Sequence, residues 1–166
     1  ALATTRPDEA WATRLGSERV GRIFLEAPDG GDPDAGASWK IEEHDSRTSK
    51  YLHGVWGNED AVWLVGEGGT ARRIKRENVG SRVFEVIPTP VTTLLRGVYG
   101  IATNDVWAVG DDATVIHWDG EAWTRIATPF DRMAEKPTLA SVWGSGPKDV
   151  WIGGNGIMLH FDGATP

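Results

Sequence analysis

A short sequence segment occurs three times along this chain of 166 residues. It reads YLHGVWGNEDAVWLVG from Tyr51, LLRGVYGIATNDVWAVG from Leu94 and TLASVWGSGPKDVWIGG from Thr138. The equivalent leucines of the three copies, Leu52, Leu95 and Leu139, are separated by 43 and 44 residues. A period of this length predicts a radial or stacked array of small sheets, in which neighbouring repeats share their cores, rather than one ordinary sheet.

Each copy is predicted to form four strands, which we label A to D in chain order. In the middle copy, Leu95 to Gly100 and Val106 to Gly110 read as strands A and B, separated by a short turn. The pairs Asp111-Asp112 and Asp119-Gly120 are turns that precede strands C and D. We therefore expect an all-β fold of four-stranded antiparallel meanders, in one domain of residues 1–166 with approximate repeats 1–49, 50–92, 93–136 and 137–166.

The two outer copies depart from this plan. The first lacks the Trp-Gly pair of strand A, so residues 1–5 are left to form that strand and residues 8–12 to begin strand B. An alternative alignment pairs Glu9-Ala10-Trp11 with Glu121-Ala122-Trp123, which would make this segment a strand D that closes the last copy. The last copy ends at Asp162-Gly163, where its own fourth strand should begin. No helix longer than two turns is expected between Leu52 and Phe161.

The string Val-Trp-Gly, then Asp-Val-Trp-Ala-Val-Gly, then His-Trp-Asp-Gly resembles the tryptophan-rich repeats of secreted bacterial β-propeller proteins. These are distant relatives of the sialidase-type Asp-box propellers. The resemblance covers nearly the whole chain and is strongest in the two middle copies. It implies that each meander is one blade of a β-propeller, and that the protein is secreted, periplasmic or located at the cell surface.

An incomplete set of blades leaves sheet edges and apolar faces open, and such surfaces associate readily. Three arrangements would cover them: a four-bladed ring sealed by residues 1–5 as the outer strand of the last blade, a homodimer of two arcs, or further blades in a longer parent protein. Four blades with large Trp side chains between them would make a tight ring. We therefore favour an arc that is part of a larger propeller.

Two residue types recur at fixed places in the repeat. A Trp in strand B is expected to be buried as a wedge between neighbouring blades, and the alternative is an aromatic platform for sugar rings; these residues are Trp63, Trp107 and Trp151. A carboxylate before strand B is expected to accept hydrogen bonds from the backbone amides of its own turn, without catalysis; these residues are Asp60, Asp105 and Asp149.

Composition excludes several classes of partner and site. The chain has 17 basic and 24 acidic side chains, a formal charge of -7, which does not suit nucleic acids or anionic membranes. It has no Cys, hence no disulfides, thiolate zinc sites or Cys nucleophile, and no apolar run long enough to insert into a bilayer. We expect no cofactor and no metal, the weak candidate for a calcium loop being Asp29, Asp32 and Asp34.

The sequence contains no recognisable catalytic constellation, and the chain has only two Tyr, Tyr51 and Tyr99, as candidates for a sialidase-type nucleophile. We therefore expect a non-catalytic recognition module that binds a glycan or a protein. When the strands of a repeat are constant and its loops differ between copies, the loops usually bind the ligand. Here these loops are the D-to-A connections and the B-to-C hairpins, which are expected to lie on one face. The alternative is a fragment of a propeller glycoside hydrolase or lyase. The candidate ligand-binding residues are His44, Arg47, Lys50, Glu67, Asp111, Asp112, Arg132 and Asn155.

Overall fold

The computed structural model describes residues 2–6, 9–13, 19–26 and 38–163. The first sheet contains β1 (Leu2–Arg6), β2 (Glu9–Thr13), β3 (Arg19–Glu26) and β4 (Ser38–Asp45). The second contains β5 (Leu52–Gly57), β6 (Ala61–Gly66), β7 (Ala71–Lys75) and β8 (Glu85–Ile87). The third contains β9 (Leu95–Ala102), β10 (Asp105–Gly110), β11 (Val115–Trp118) and β12 (Trp123–Arg125). The fourth contains β13 (Ser141–Gly146), β14 (Asp149–Gly154) and β15 (Ile157–Phe161).

Every sheet is an antiparallel meander in which each strand pairs with the next strand of the chain. The predicted all-β fold of blade-like repeats is therefore confirmed. Between Leu52 and Phe161, all of which the structure describes, the helical segments are the 3₁₀ turns Glu67–Gly69 and Arg76–Ser81, as expected. In the described parts of the chain, no helix has the length and apolar character needed to cross a lipid bilayer.

The first sheet decides between the two alignments of the N-terminal copy. Strand β2 pairs with β1 on one side and β3 on the other, so Glu9-Ala10-Trp11 lies in a strand B. The alternative alignment, which made this segment a strand D of the last copy, is wrong. The four-bladed ring sealed by residues 1–5 is wrong for the same reason, because residues 2–6 pair within the first blade.

The four sheets pack side by side through their first strands, with β1 against β5, β5 against β9 and β9 against β13. Strand B of each inner blade is apolar on both faces, because it contacts a neighbour on each side. In β6, Val62 and Leu64 belong to the core shared with the first blade, whereas Trp63 and Val65 belong to the core shared with the third. Successive residues of a strand point to opposite faces, which explains this division.

In the first three blades, the Trp of strand B points toward the following blade. The ring of Trp11 lies 5.8 Å from Phe84, that of Trp63 lies 5.1 Å from Trp118, and that of Trp107 lies 4.9 Å from Phe161, each distance joining ring centroids. Trp63 is fully buried and Trp107 is 2% exposed, so the predicted wedge is confirmed for both.

Trp151 does not follow this pattern. It is 39% exposed, and the prediction that it is buried is wrong. The described residues contain no further sheet beyond the fourth blade, so Trp151 stacks only on His160 of its own sheet, at 4.2 Å between ring centroids. Burial of the wedge thus depends on a following blade and not on the repeat itself.

The carboxylates before strand B bind side chains instead of turn amides, which corrects the predicted turn-locking role. Asp105 Oδ1 accepts hydrogen bonds from Trp107 Nε1 at 2.9 Å and His117 Nε2 at 2.8 Å. Asp149 Oδ1 accepts equivalent bonds from Trp151 and His160, at 2.8 and 2.9 Å. The carboxylate therefore fixes the wedge indole and couples strands B and C.

The second blade shows why Asp60 differs from these two residues. Ala61 stands at the position of Asp105, and the Trp63 indole Nε1 accordingly has no hydrogen-bond partner among the described residues. Asp60 lies one residue earlier and accepts a hydrogen bond from Thr103 Oγ1 of the next blade at 2.8 Å. The turn amides are bound by Asn58, whose Oδ1 accepts the N–H groups of Asp60 and Ala61.

In the first blade, Glu9 stands at the strand B position of Asp105, and Arg22 stands at the strand C position of His117. The Glu9 side chain is 3% exposed, and its Oε1 accepts hydrogen bonds from Arg22 Nε at 2.6 Å and Arg76 Nη1 at 2.7 Å. Arg76 belongs to the second blade, so this buried ion cluster joins the first two blades across their interface.

Candidate binding surface

The B-to-C hairpins and the D-to-A connections meet on one side of the molecule. Gly69 N donates to Thr93 O at 2.8 Å, and Ala113 N donates to Pro137 O at 2.8 Å. These bonds tie each hairpin to the connection that leads into the next blade. We call this side the loop face and define it as residues 46–51, 67–70, 88–94, 111–114, 126–140 and 154–156.

Most of the predicted ligand-binding residues lie on the loop face: Arg47, Lys50, Glu67, Asp111, Asp112, Arg132 and Asn155. His44 does not. It is fully buried, with ring centroids 4.8 Å from Trp11 and 6.4 Å from Phe84. Burial lowers the pKa of His44, although Glu42 nearby opposes this effect. His44 is thus part of the interface between the first two blades and not of the surface.

Hydrogen bonds between side chains and the backbone hold the first D-to-A connection in place. Arg72 Nε donates to Ser46 O at 3.0 Å, and Arg72 Nη2 donates to Arg47 O at 3.2 Å. Glu67 Oε2 accepts the N–H of Tyr51 at 3.2 Å. These bonds leave Arg47 and Lys50 as exposed residues on a fixed backbone.

A polar cluster of Arg96, Asp111 and Thr138 lies where the loop face meets the start of β9. Arg96 binds Asp111 in a bidentate pair, with Nε to Oδ1 at 2.6 Å and Nη2 to Oδ2 at 3.1 Å. Thr138 Oγ1 donates to Asp111 Oδ1 at 3.1 Å. The Arg96 hydrogen bond, helped by Thr138 and by the charge of His53, holds the pKa of Asp111 below its usual value.

Sequence reasoning found Asp111 in this cluster and missed its partners. Arg96 lies one residue after the repeated Leu95, where the other copies carry His53 and Ala140. The sequence signal for Arg96 was that an arginine occurs in one copy only, at a position of strand A that differs between the copies. Thr138 gave no such signal, because its side chain is brought to Asp111 by the path of the connection.

The longest D-to-A connection, residues 126–140, is held by a second bidentate pair. Arg125 Nη2 lies 2.6 Å from Asp131 Oδ1, and Arg125 Nη1 lies 3.1 Å from Oδ2. Asp131 also accepts the N–H of Thr128 at 3.1 Å. The Arg125 hydrogen bonds, with those of Thr128, lower the pKa of Asp131 to about 2.

Two open grooves adjoin this connection and share Asp131. One has a volume of about 460 Å³ and is lined by Pro90, Val91, Thr92, Thr93, Asp112, Thr114, Arg125, Asp131 and Lys136. The other has a volume of about 490 Å³ and is lined by Ala127, Thr128, Pro129, Asp131 and Arg132. Together they form a trough that has hydroxyl groups and charges of both signs on its walls, beside apolar residues such as Val91 and Pro129.

The contribution of Asp131 to the stability of the fold should depend on pH at low pH. Because the folded-state pKa lies below the usual 3.8, the ion pair stabilises the fold fully above pH 3.8 and is lost as the pH falls through about 2. Urea unfolding of the natural chain and Asp131→Asn should therefore give a stability difference that is constant near neutral pH and shrinks toward pH 2. In an Arg125→Gln background the difference should be small at every pH. A difference insensitive to acid would contradict this assignment.

In the described residues, every carboxyl group whose pKa shift is resolved has a lowered pKa; these groups are Glu42, Asp111, Asp119, Asp131 and Asp149. Within the described ranges, no three His, Asp or Glu side chains are grouped as a metal site. Asp29, Asp32 and Asp34 lie outside the described residues. The loop face is thus equipped for hydrogen bonding and charge pairing.

Comparison with known proteins gives structural matches only. Neither the family models nor the curated protein sequences contain a match to this chain. A solved structure described as YCF48 bound to D1 peptide superposes with a TM-score of 0.67 and 19% identity, over 96% of this chain and 49% of that one. YCF48 from Cyanidioschyzon merolae gives a TM-score of 0.59 and 17% identity, over 95% and 52%. The chain has the fold of these β-propellers and spans about half their length.

Proposed function

We propose that this chain is a protein-recognition module whose loop face binds an extended peptide segment of another protein. The observation that carries the proposal is the trough formed by the two adjoining grooves along residues 126–140. The two grooves are open and adjoin each other, which suits a chain segment better than a compact small molecule. The connection that borders it is held by the Arg125–Asp131 pair and by two hydrogen bonds from Thr128 to Asp131.

The walls of the trough supply what an extended peptide requires. Thr93 brings a hydroxyl group that is bonded to the buried Thr114 hydroxyl at 2.9 Å and can also bind main-chain amides and carbonyls. Lys136 and Arg132 provide positive charge for acidic side chains, and Asp112 provides negative charge for basic ones. Main-chain bonds would give affinity, and these charges would give register and specificity.

The exposed aromatic side chains favour a protein ligand over a glycan. Sugar rings are commonly bound on exposed aromatic faces, and such faces were expected on the loop face if the ligand were a glycan. In the described residues, Trp39, Trp143 and Trp151 are exposed away from the loop face, which retains Tyr51 as its exposed aromatic residue. A glycan-binding trough would need more aromatic surface than this.

A structural neighbour supports the peptide proposal at the level of architecture. One of the matched propellers is YCF48 in complex with a D1 peptide, so a protein of this architecture accommodates a peptide. At 19% identity this likeness concerns the architecture, and the ligand of the present chain has to be argued from its own trough.

Selection from a phage-displayed random peptide library on the purified chain tests the proposal. Peptides selected on the natural chain should bind at least about tenfold more weakly to Arg132→Glu/Lys136→Glu, which reverses two charges of the trough. Lys148→Glu is the matched control, because Lys148 lies in an A-to-B turn on the opposite side. Equal binding to all variants, or glycan-array binding abolished by the double variant, would overturn the peptide proposal.

We further propose a distant relation to the tryptophan-rich propellers of secreted bacterial proteins and a location outside the cytoplasm. Both rest on the repeated sequence motifs. The hydrolase or lyase alternative receives less support, because Asp111 and Asp131 of the loop face are each held in a bidentate pair with an arginine, which suits a structural role better than proton transfer.

A further inference from the structure

Three cationic side chains meet on the loop face where the first blade connects to the second. Arg47 and Lys50 are exposed on that connection, and the guanidinium of Arg72 in β7 is bonded to it. We call these three residues the basic cluster. Within the described ranges none of them is paired with a carboxylate. Glu67 of the adjoining hairpin uses Oε2 to accept the N–H of Tyr51.

Arg72 breaks the apolar pattern of the repeat. It stands opposite Leu64, at the strand C position that Ile116 and Leu159 hold in the next two blades. Ile116 is fully buried in the core shared with the preceding blade. A cation at such a position is costly to desolvate. Residues that break the rule of their own repeat in this way are expected at functional sites.

The hydrogen bonds of Arg72 fix its guanidinium without neutralising it. A guanidinium has five N–H donors. Three of them bind backbone carbonyls, with Nε to Ser46 O at 3.0 Å, Nη1 to Ala71 O at 2.8 Å and Nη2 to Arg47 O at 3.2 Å. Burial and the positive charge of Arg47 lower the pKa of Arg72. A bound anion would use the remaining donors and relieve the repulsion between the two arginines.

The basic cluster is continuous with the trough. Lys50 Nζ lies over Gly68, in the space that a Cβ at that residue would need. The next residue, Gly69, lies in the same way against the Val91 carbonyl and donates its N–H to Thr93 O at 2.8 Å. Val91 and Thr93 line the trough. One tight hairpin therefore separates the two sites, and an extended chain, which advances about 3.3 Å per residue, passes it within a few residues.

We propose that the basic cluster binds acidic side chains of the extended peptide whose main chain lies in the trough. This inference rests on the proposed function and adds the chemistry of the partner, a segment with Asp or Glu residues at the end that passes the hairpin of residues 67–70. Hydrogen bonds between a guanidinium and a carboxylate are roughly twice as strong as neutral ones. Nucleic acids and anionic membranes also attract cations, but they do not suit a chain with a formal charge of -7.

Binding of the peptides selected on the natural chain tests this inference. They are synthesised with amidated C-termini, so that Asp and Glu side chains supply the only carboxylates. Replacing one acidic residue by its amide should weaken binding by about tenfold. Arg47→Gln/Lys50→Gln should weaken the acidic peptide by a similar factor, and the acid-to-amide change should then have little further effect. Lys75→Gln/Lys148→Gln, which removes the same charge on the side of the A-to-B turns, should leave binding unchanged.

Substitution of Arg72 tests its charge separately from its structural bonds. Arg72→Leu supplies the residue that the fourth blade carries as Leu159, so the fold should be retained, which circular dichroism checks. Its affinity for the acidic peptide should fall about tenfold, with little change for the amide peptide. Arg72→Lys, which keeps the charge, should recover part of the loss. A purely structural role of Arg72 would lower both affinities equally.

The failure of this inference can be told apart from the failure of the proposed function. Absence of any bound peptide, or binding that ignores Arg132→Glu/Lys136→Glu, contradicts the proposed function and the inference with it. Peptides that bind in the trough without any acidic residue that matters overturn the inference alone. So does an Arg47→Gln/Lys50→Gln variant that loses the same affinity for the acidic and the amide peptide.

Discussion

Replacement of Trp107 by Ala is expected to lower the free energy of unfolding by about 3 to 5 kcal/mol, the range for truncating a large core aromatic residue. The side chain is 2% exposed and lies between the third and fourth blades, where it contacts Phe161. Its removal leaves a cavity at that interface and takes away the indole N–H bound by Asp105. Urea unfolding followed by circular dichroism measures the loss.

Trp151→Ala is the matched control, because Trp151 holds the same register position and no further sheet of the described residues covers it. Its loss should cost about 1 kcal/mol or less, measured under the same conditions as Trp107→Ala. Equal losses for the two substitutions would mean that the internal wedge owes little to the following blade, contrary to our interpretation of the interfaces.

Glu9→Gln should be nearly as damaging, with a loss of about 3 kcal/mol in the free energy of unfolding. The Glu9 carboxylate is buried and binds Arg22 and Arg76 from two different blades. The substitution removes the negative charge and leaves two guanidinium groups, 21% and 14% exposed, close together without it. Chemical unfolding at neutral pH gives the loss, and thermal unfolding should show a lower midpoint.

Glu26→Gln provides the comparison for this cluster. Glu26 pairs with Lys40 at 3.5 Å, and both side chains are about half exposed, so the pair should contribute less than about 1 kcal/mol. If Glu26→Gln proved as costly as Glu9→Gln, burial at the interface of the first two blades would not be the source of the Glu9 effect.

The blade architecture could be predicted from sequence because its signals are local. A period of 43 to 44 residues, alternating apolar positions and turn pairs such as Asp119-Gly120 specify where strands begin and end. The apolar character of Ala61–Gly66 on both faces likewise belongs to the strand itself and shows that sheets lie on each side of it. Much of the loop face was also predictable, since the connectivity of a meander determines which loops emerge together.

The burial of individual side chains was decided by the tertiary structure, because it depends on whether a neighbouring blade covers them. Trp107 and Trp151 occur in the same local sequence, but Trp107 is buried and Trp151 is exposed, because in the described residues only Trp107 is covered by a following blade. His44 looked like a loop residue, but packing against Trp11 and Phe84 placed it in an interface.

The partners of the carboxylates were likewise decided by distances between strands. Asp105 binds His117 twelve residues away, Arg96 reaches Asp111 across a hairpin, and Glu9 meets Arg76 from another blade. A repeat determines the position of each side chain within its own sheet, because strand alternation is a property of the local backbone. What lies opposite that side chain, and whether anything does, follows only from how the sheets pack.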